Sequence, residues 1–190
     1  MIKVEIPALK KKIEIQRIIG EFKGSKEKPT IVILAGVHGN ETSGVYALHK
    51  IVNRIQNESI SVDGNVYAIS GNMNALKKGI RFEKVDLNRI WTHSHVDYIQ
   101  STSEVYSEDV QEKIAIYEIV KEIIQTNKGP FCFIDMHSTS SITEPFITIS
   151  DSMNNRNFSS NFPVPIVLGI EEYLEGPFLS FINEFGHIAL

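Results

Sequence analysis

The sequence has few cysteines and no long apolar run, and both absences narrow the class of protein. Among the 190 residues only Cys132 is a cysteine, so an intrachain disulfide is excluded. It stands inside the apolar run FCFIDM, where we expect a small, buried thiol. No apolar stretch reaches the length of a membrane span, and the N-terminus MIKVEIPALKKK lacks the continuous apolar region of a secretion signal. We therefore expect a cytoplasmic protein that does not act at a membrane.

Positive charge is also scarce and scattered. The chain has 19 Lys and Arg against 23 Asp and Glu, a formal net charge of −4, and its two lysine clusters, LKKK and LKKG, contain no aromatic residue. A nucleic-acid partner is therefore not supported, because such a surface needs a dense basic patch. With 42% hydrophobic and 22% charged residues, the chain has the composition of a globular domain that can bury a substantial core.

Apolar runs and helical patterns alternate along the chain. The run TIVILAG is continuous and β-branched, as in a strand buried on both faces, and apolar residues at helical spacing follow it. A longer helix is predicted from Ser107, the expected N-cap, to the stop signal NKGP. Its apolar stripe comprises Val110, Ile114, Tyr117, Val120 and Ile124. Further strands are predicted at KKKIEIQRIIGEF, GNVYAISGN, FCFIDMHS, EPFITIS, VPIVLGI and HIAL, and a short helix at GPFLSFINEFG. This alternation predicts an α/β fold with a largely parallel central sheet.

Two chemically distinctive segments, GVHGNETSG and DMHS, fall at predicted strand ends. Ligands of such sheets bind at the carboxyl ends of the strands, so the two segments are candidates for one shared site. A phosphate-binding loop is disfavoured, because no Lys follows the last glycine and the glycine spacing is not G-x-G-x-x-G.

A metal site is the alternative interpretation of these segments. His38 and Glu41 are three residues apart at the start of a predicted helix, so both side chains could face one ion. His137 could supply a third ligand, and a His–Glu–His set leaves a coordination position open, as in catalytic zinc sites. Histidines near strand ends are also common without a metal, so both interpretations stay open on these residues alone.

The polar segment RFEKVDLNR, residues 81–89, contains two arginines, whose planar guanidinium groups match carboxylates; surface salt bridges are the ordinary alternative. Together GVHGNETSG, DLNR and DMHS, in this order, resemble the succinylglutamate desuccinylase/aspartoacylase family, which is related to the zinc carboxypeptidases. The resemblance runs from residue 30 to residue 190. The gap of 96 positions between Glu41 and His137 (137 − 41) also fits this family, since the gap in the peptidases is usually longer.

The resemblance implies a fold, a cofactor and a set of roles. The fold would be an α/β three-layer sandwich with a central, largely parallel mixed sheet, like that of the zinc carboxypeptidases and phosphorylase-like hydrolases. One Zn²⁺ would have three protein ligands, His38, Glu41 and His137. Arg81 would be catalytic, polarising the scissile carbonyl, and Asn88 with Arg89 would hold a substrate carboxylate. The chain would thus be a zinc-dependent amidohydrolase, or deacylase, whose substrate is an N-acyl amino acid with a free carboxylate.

One part of this machinery is missing from the sequence. Because Glu41 would be a ligand, another group must take the proton from the attacking water. In the resembled family this base is a Glu in an E-x-G-type motif after a late strand, and the sequence ends at HIAL without it. We therefore expect residues 1–190 to be one zinc-hydrolase catalytic domain, incomplete at its C-terminus, without the family's C-terminal β-rich domain and with little turnover. Four glutamates are weak candidates for a substitute base: Glu171, Glu172, Glu175 and Glu184.

Other polar residues receive no ligand role from the sequence. Asp135 is a candidate to orient a metal-bound histidine, and simple packing explains Asp86 and Asp135 equally well. Four histidines are expected at the surface: His49, His93, His95 and His187.

Two other functions compete with the deacylase. The first is a carboxypeptidase-like zinc peptidase, which would share the ligands and the Asn–Arg pair. The second is a non-catalytic metal-binding module, which the missing base favours. The segment PFLSFINEFG also lacks the additional arginine of aspartoacylase, which argues against N-acetylaspartate as the substrate. A homo-oligomer is left open.

Overall fold

Strands and helices alternate along the chain as the sequence predicts. The computed structural model describes residues 1–96, 106–170 and 173–190. Its strands are β1 (Ile2–Ile6), β2 (Lys11–Ile15), β3 (Ile18–Lys23), β4 (Thr30–Ala35), β5 (Asn65–Ser70), β6 (Phe131–Met136), β7 (Ile147–Ile149), β8 (Ile166–Leu168) and β9 (Ile188–Ala189). The helices used below are α1 (Thr42–Asn57), α2 (Met73–Lys78), α3 (Glu108–Thr126), α4 (Met153–Ser159) and α5 (Phe178–Glu184), and short 3₁₀ turns lie at Pro7–Leu9 and Leu87–Arg89.

The central sheet contains β3, β5, β4, β6 and β9 in that spatial order. β4 runs parallel to both of its neighbours, so that Thr30 is paired with Asn65 on one side and with Phe131 on the other. β9 continues the parallel part beside β6, and β3 is an antiparallel edge strand beside β5. This mixed and mostly parallel sheet confirms the predicted α/β fold.

Alternate residues of the central strands face two separate hydrophobic clusters. Val32 and Leu34 of β4 lie in the cluster that contains the apolar residues of α3 and α5. Ala35, at the end of the same strand, lies in the cluster that contains those of α1, α2 and the β1–β2 hairpin. Because successive strand residues point to opposite faces, the sheet is the middle of three layers.

The start of α1 is seated directly against the end of β6. Gly44 is buried there, and a Cβ atom at this position would lie only 2.9 Å from Cβ of Met136. A side chain would therefore push the helix away from the strand. This close approach brings the loop before α1 next to the residues that follow β6.

The buried face of α3 differs from the predicted apolar stripe. Ile116 and Ile123 are fully buried, whereas Ile114, Tyr117 and Ile124 are only partly buried against the same cluster. The first turns also bury three charged side chains, Asp109, Glu112 and Lys113. Ser107 stands at the N-cap as predicted, but its side chain makes no capping hydrogen bond. The helix is thus turned toward polar loops at its beginning and toward the apolar core farther on.

Three strand predictions need correction. The segment KKKIEIQRIIGEF forms β2 and β3 rather than one strand, because the chain turns at Arg17, whose guanidinium donates to the carbonyl of Ser70 at 2.8 Å and pairs with Glu112. The first residues, given no strand in the sequence prediction, form β1 and pair with β2. β7 and β8 pair in parallel with each other, in a separate two-stranded sheet, and not with the central sheet.

Cys132 lies on β6 and is 6% exposed, in agreement with the predicted buried thiol. Burial raises the pKa of this thiol. None of the helices in the described ranges has the length and apolar character that a membrane crossing requires.

Lys113 is a fully buried ammonium group on α3. Its Nζ donates to the backbone oxygen of Ile90 at 2.6 Å, lies 3.0 Å from Nδ1 of His95 and stands over the ring of Trp91. Burial lowers the pKa of Lys113 to about 8. Between that value and the ordinary pKa of lysine, the unfolded chain binds a proton that the folded chain does not bind. The contribution of Lys113 to the free energy of unfolding therefore increases with pH in this range.

We expect the free energy of unfolding of the wild type, relative to Lys113→Met, to increase by about 2–3 kcal/mol between neutral pH and about pH 10, at about 1.4 kcal/mol per pKa unit. Urea unfolding of both proteins across this range measures the difference. Lys121→Met, an exposed lysine of the same helix, should give a curve parallel to the wild type. If the Lys113→Met curve were also parallel, the ammonium would not be desolvated in the folded protein.

Candidate metal centre

His38 and Glu41 lie in the turn between β4 and α1. The sequence predicts them within the first helical turn, but the helix begins after them, at Thr42, and Glu41 is its N-cap residue. A turn hydrogen bond from the Glu41 amide to the His38 carbonyl, 3.1 Å long, brings the two residues together instead. Gly39 permits this turn, because a Cβ there would lie 2.0 Å from the backbone carbon of Ala75 in α2. The glycine-rich sequence therefore serves close packing of the turn onto α2.

The structure brings His38, Glu41 and His137 together. One potential ligand atom from each of the three lies within 4.8 Å of the other two, and they are the one such group found among the described residues. Glu41 is central: Oε1 lies 2.9 Å from Nδ1 of His38, and Oε2 lies 3.1 Å from Nδ1 of His137. The amide of Ser138 also donates to Oε2 at 2.8 Å. The ends of β4 and β6 thus contribute to a single cluster, as the parallel sheet predicts.

Each histidine is held by an aspartate through its other ring nitrogen. Nε2 of His38 lies 2.9 Å from Oδ1 of Asp86, and Nε2 of His137 lies 2.8 Å from Oδ2 of Asp135. Both Nδ1 atoms are therefore turned toward Glu41. Metal-binding histidines characteristically have a carboxylate or carbonyl partner on the nitrogen that does not bind the metal.

The electrostatics of this cluster are those of a site that takes positive charge. Burial alone would lower the pKa of His137, but the charge of Asp135 and the hydrogen bond to it raise the value to about 10. The pKa of His38 is also raised, because the hydrogen bonds to Asp86 and Glu41 outweigh burial. Burial would raise the pKa of Glu41, yet hydrogen bonds from His137 and His38 keep it well below its usual range. Protons on the two imidazoles thus balance the carboxylates, and a metal ion would have to replace these protons.

Arg81 lies beside the cluster. Nη1 donates to Oε1 of Glu41 at 3.1 Å, and Nη2 is 3.5 Å from Oδ2 of Asp86. Its side chain is 46% exposed, so the guanidinium group borders the cluster and also reaches solvent. The predicted catalytic arginine therefore has a position from which it could face a bound substrate.

Asn88 and Arg89 lie on the same segment as Arg81. Nδ2 of Asn88 is 3.4 Å from Nε2 of His137, and its Oδ1 accepts from the amide of Phe178 at 2.9 Å. Nη1 of Arg89 donates to the carbonyl of Asn88 at 2.7 Å, and its side chain is exposed. The structure places Asn88 at the cluster and Arg89 next to it, while their grip on a substrate carboxylate stays a prediction.

Neither of the two described candidates for a substitute base, Glu175 and Glu184, has a hydrogen bond to the cluster. Glu184 ends α5, where its carboxylate lies 2.5 Å from Nε2 of His93. Glu175 is exposed, and Glu171 and Glu172 lie outside the described residues. In residues 1–96, 106–170 and 173–190, the acidic side chains that contact His38 or His137 are those of Glu41, Asp86 and Asp135.

Of the four histidines expected at the surface, His93 is exposed, whereas His49, His95 and His187 are partly buried. His187 packs against the rings of Phe131 and Phe133, at centroid distances of 5.2 and 5.8 Å. His95 is partly buried beside Lys113. These contacts of His187 and His95 come from residues far away in the chain, a neighbourhood that a single sequence does not reveal.

A sequence profile of the succinylglutamate desuccinylase/aspartoacylase catalytic domain matches residues 27–181. The chain belongs to this family. Within the family it is similar to the succinylglutamate desuccinylase of Paraburkholderia xenovorans, with 32% identity over 72 residues, which are 38% of this chain and 21% of that protein. It is also similar to the succinylglutamate desuccinylase of Photorhabdus laumondii, with 25% identity over 135 residues, 70% of this chain and 40% of that protein.

Solved structures share the fold of this chain. The succinylglutamate desuccinylase of Chromobacterium violaceum aligns with a TM-score of 0.71 at 17% identity, over 89% of this chain and 54% of that chain. Murine aminoacylase 3 aligns with a TM-score of 0.51 at 21% identity, over 76% of this chain and 48% of that chain. This family member therefore matches about half, or less, of the length of these relatives.

Of the two aspartates that hold the histidines, Asp135 was predicted as a candidate to orient a metal-bound histidine, whereas Asp86 was given no such role. In this succinylglutamate desuccinylase/aspartoacylase domain, Asp135 stands two positions before His137, and such spacing along an extended chain places side chains on one side. That spacing was a usable signal. Asp86 offered none, because it lies in an irregular segment whose position depends on contacts far away in the sequence.

Proposed function

We propose that the protein is a zinc-dependent hydrolase that cleaves the amide bond of an N-acyl amino acid, using water activated by one Zn²⁺. The observation that carries this proposal is the symmetry of the cluster. Two histidines, each fixed by an aspartate, turn their Nδ1 atoms to the two oxygens of Glu41. Simple packing does not require such convergence, whereas a metal does.

The donor set fits zinc. Two imidazole nitrogens and one carboxylate are the ligands of many catalytic zinc sites, and they leave a position open for water or substrate. In a tetrahedral site with bonds of about 2.0–2.1 Å, ligand atoms are about 3.3 Å apart. In this structure Glu41 turns a different oxygen to each histidine, at 2.9 and 3.1 Å, and one potential ligand atom from each of the three residues lies within 4.8 Å of the other two.

Zinc would supply a Lewis acid and would make a bound water acidic enough to react near neutral pH. Three residues of this chain would stabilise the reacting charge and hold the substrate, and none of them is the base that takes the proton from the water. Arg81 would place positive charge where the carbonyl oxygen of the substrate becomes negative. Asn88 and Arg89 would hold the free carboxylate of the amino acid, for which an amide and a guanidinium are suitable donors.

Family membership supports an N-acyl amino acid as the substrate class. Metal analysis of the purified protein and a hydrolysis panel test the proposal together. The panel contains N-succinylglutamate, N-acetylaspartate, N-acetyl derivatives of neutral amino acids, and dipeptides. One equivalent of zinc with release of the acyl group supports it, whereas release of C-terminal residues from peptides would favour a carboxypeptidase-like function. Zinc without any hydrolysis would favour a non-catalytic metal-binding module, and absence of zinc would contradict the proposal.

Asp135, which holds His137, provides a test of the zinc centre. We expect Asp135→Asn to weaken zinc affinity by about 10–100-fold, because the amide no longer fixes His137 as the carboxylate does. A competition titration with a chromophoric chelator measures the affinity. Asp151→Asn, an exposed aspartate paired with Arg156, is the control and should leave it unchanged. Equal zinc affinity of Asp135→Asn and the wild type would show that Asp135 does not support a metal ligand.

A further inference from the structure

Asp109, in the first turn of α3, is fully buried and accepts four hydrogen bonds. Oδ1 accepts from Nδ2 of Asn72 at 2.8 Å and from the amide of Glu83 at 3.1 Å. Oδ2 accepts from the amides of Lys84 at 2.7 Å and Val85 at 3.0 Å. Burial alone would raise the pKa of Asp109, but these donors lower it, so the group is a carboxylate at neutral pH. A charge so completely enclosed fixes the donors that surround it.

The three backbone donors belong to the segment that borders the metal centre. Arg81 lies just before them, and Asp86 directly follows Val85. Asp86 in turn holds Nε2 of His38 at 2.9 Å. Asp109 itself has no contact with His38, Glu41 or His137 among the described residues. Its influence on the centre must therefore pass through its hydrogen-bond partners, three of which lie in the 81–89 segment.

Asn72 extends the same connection to the other side of the centre. The side-chain Oδ1 of Asn72 caps α2 by accepting from the backbone amide of Ala75 at 2.9 Å. The backbone amide of Asn72 donates to the carbonyl of Gly36, also at 2.9 Å. Gly36 begins the turn that carries His38. One carboxylate thus ties the 81–89 segment to the loop that provides two proposed ligands.

We propose that Asp109 is a positioning residue, which sets zinc affinity by holding Asp86 against His38 and which also keeps Arg81 beside Glu41. The proposal rests on the zinc centre proposed above. Asp109 is a buried helix residue that does not contact the centre. From its burial alone it would be given only a role in the stability of the fold.

A double-mutant cycle separates positioning from stability. We expect Asp109→Asn to weaken zinc affinity by about tenfold, the lower end of the effect of removing a residue that supports a ligand. In the Asp86→Asn background the same substitution should have a smaller effect, because the route through Asp86 to His38 is already broken. Chelator competition measures zinc affinity at a temperature where urea unfolding shows all variants folded. Hydrogen exchange of the metal-free proteins should show faster exchange in residues 81–89 of Asp109→Asn.

Asn65→Ala is the matched control. Asn65 is also buried and joins loops, with hydrogen bonds to Ser25, Thr30 and Gly24, but it lies at the opposite end of the central strands. Its substitution should lower stability without changing zinc affinity. If Asp109→Asn proves too unstable to study, the double variant Asp109→Asn with Asn72→Asp can be used instead. It restores a donor–acceptor pair between positions 109 and 72. This double variant should bind zinc more tightly than Asp86→Asn.

Two results would overturn the positioning role: wild-type zinc affinity in folded Asp109→Asn, or equal effects of Asp109→Asn in the presence and absence of Asp86. A wild-type protein that binds no zinc would instead contradict the proposed function, and would do so before any variant is compared.

Discussion

Replacing Glu41 with glutamine is expected to weaken zinc binding by about two to three orders of magnitude. Structural zinc sites with four ligands bind with about 10–16 kcal/mol, or about 2.5–4 kcal/mol for each ligand, and about 1.4 kcal/mol corresponds to a factor of ten. Glu41 contacts both proposed histidine ligands, one through each oxygen. Glutamine has the same size, but it removes the negative charge and places an NH₂ donor where one lone pair was needed. Chelator competition near neutral pH measures the loss.

Glu112→Gln is the control for this variant. Glu112 is also a buried glutamate; it pairs with Arg17 and accepts from the amide of Asn74 at 3.1 Å, away from the metal centre. Its substitution should reduce stability and leave zinc affinity as in the wild type. If Glu41→Gln retained wild-type zinc affinity while remaining folded, Glu41 would be a hydrogen-bonding partner of the histidines and not a ligand.

The grouping of His38, Glu41 and His137 could be predicted from the sequence because of how parallel sheets are built. TIVILA and FCFIDM are continuous apolar runs, which indicate strands buried on both faces, and both are followed by metal-ligating residue types. Neighbouring parallel strands end at the same edge of a sheet, and β4 and β6 are indeed neighbours. The meeting point of these side chains could therefore be predicted largely from which segments form strands and where those strands end.

The polar supports of the centre could not be predicted in the same way. Amphipathic patterns assume that the buried face of a helix is apolar, and α3 departs from this assumption at Asp109, Glu112 and Lys113. Each of these side chains is buried because it meets a loop and not another apolar surface. Asp86 is oriented by this packing, and its role as a partner of His38 follows from tertiary contacts that leave no periodic trace.

The three buried charges of α3 hold different parts of one long polar segment. Glu112 accepts from the amide of Asn74, Asp109 from amides of residues 83–85, and Lys113 donates to the carbonyl of Ile90. The polar segment is thereby fixed at three places, one at the start of α2 and two in the mostly irregular part that follows it. This explains how irregular backbone can present Arg81 and Asn88 in defined positions beside strand ends.

Arg81→Met is expected to reduce the kcat of hydrolysis by about 10²–10³-fold, the cost of removing one donor that stabilises negative charge on a reacting oxygen. Zinc affinity should be retained or somewhat increased, because the substitution removes a cation from the neighbourhood of Glu41 and of the bound ion. The sign of this second effect distinguishes Arg81 from the ligands, whose loss weakens zinc binding. Steady-state kinetics at saturating zinc, on the substrate that the panel shows to react fastest, measure the first effect.

Arg54→Met is the control, because Arg54 is an exposed arginine on α1 that pairs only with Glu58 among the described residues. Arg81→Lys adds a geometric test. A lysine retains the charge but lacks the planar pair of donors that reaches Glu41 and Asp86 together, so we expect it to restore only part of the rate. Full activity of Arg81→Met would mean that the guanidinium stabilises the two carboxylates of the resting centre and takes no part in the reaction. A loss of zinc that paralleled the loss of rate would mean that Arg81 supports the metal ligands and not the substrate.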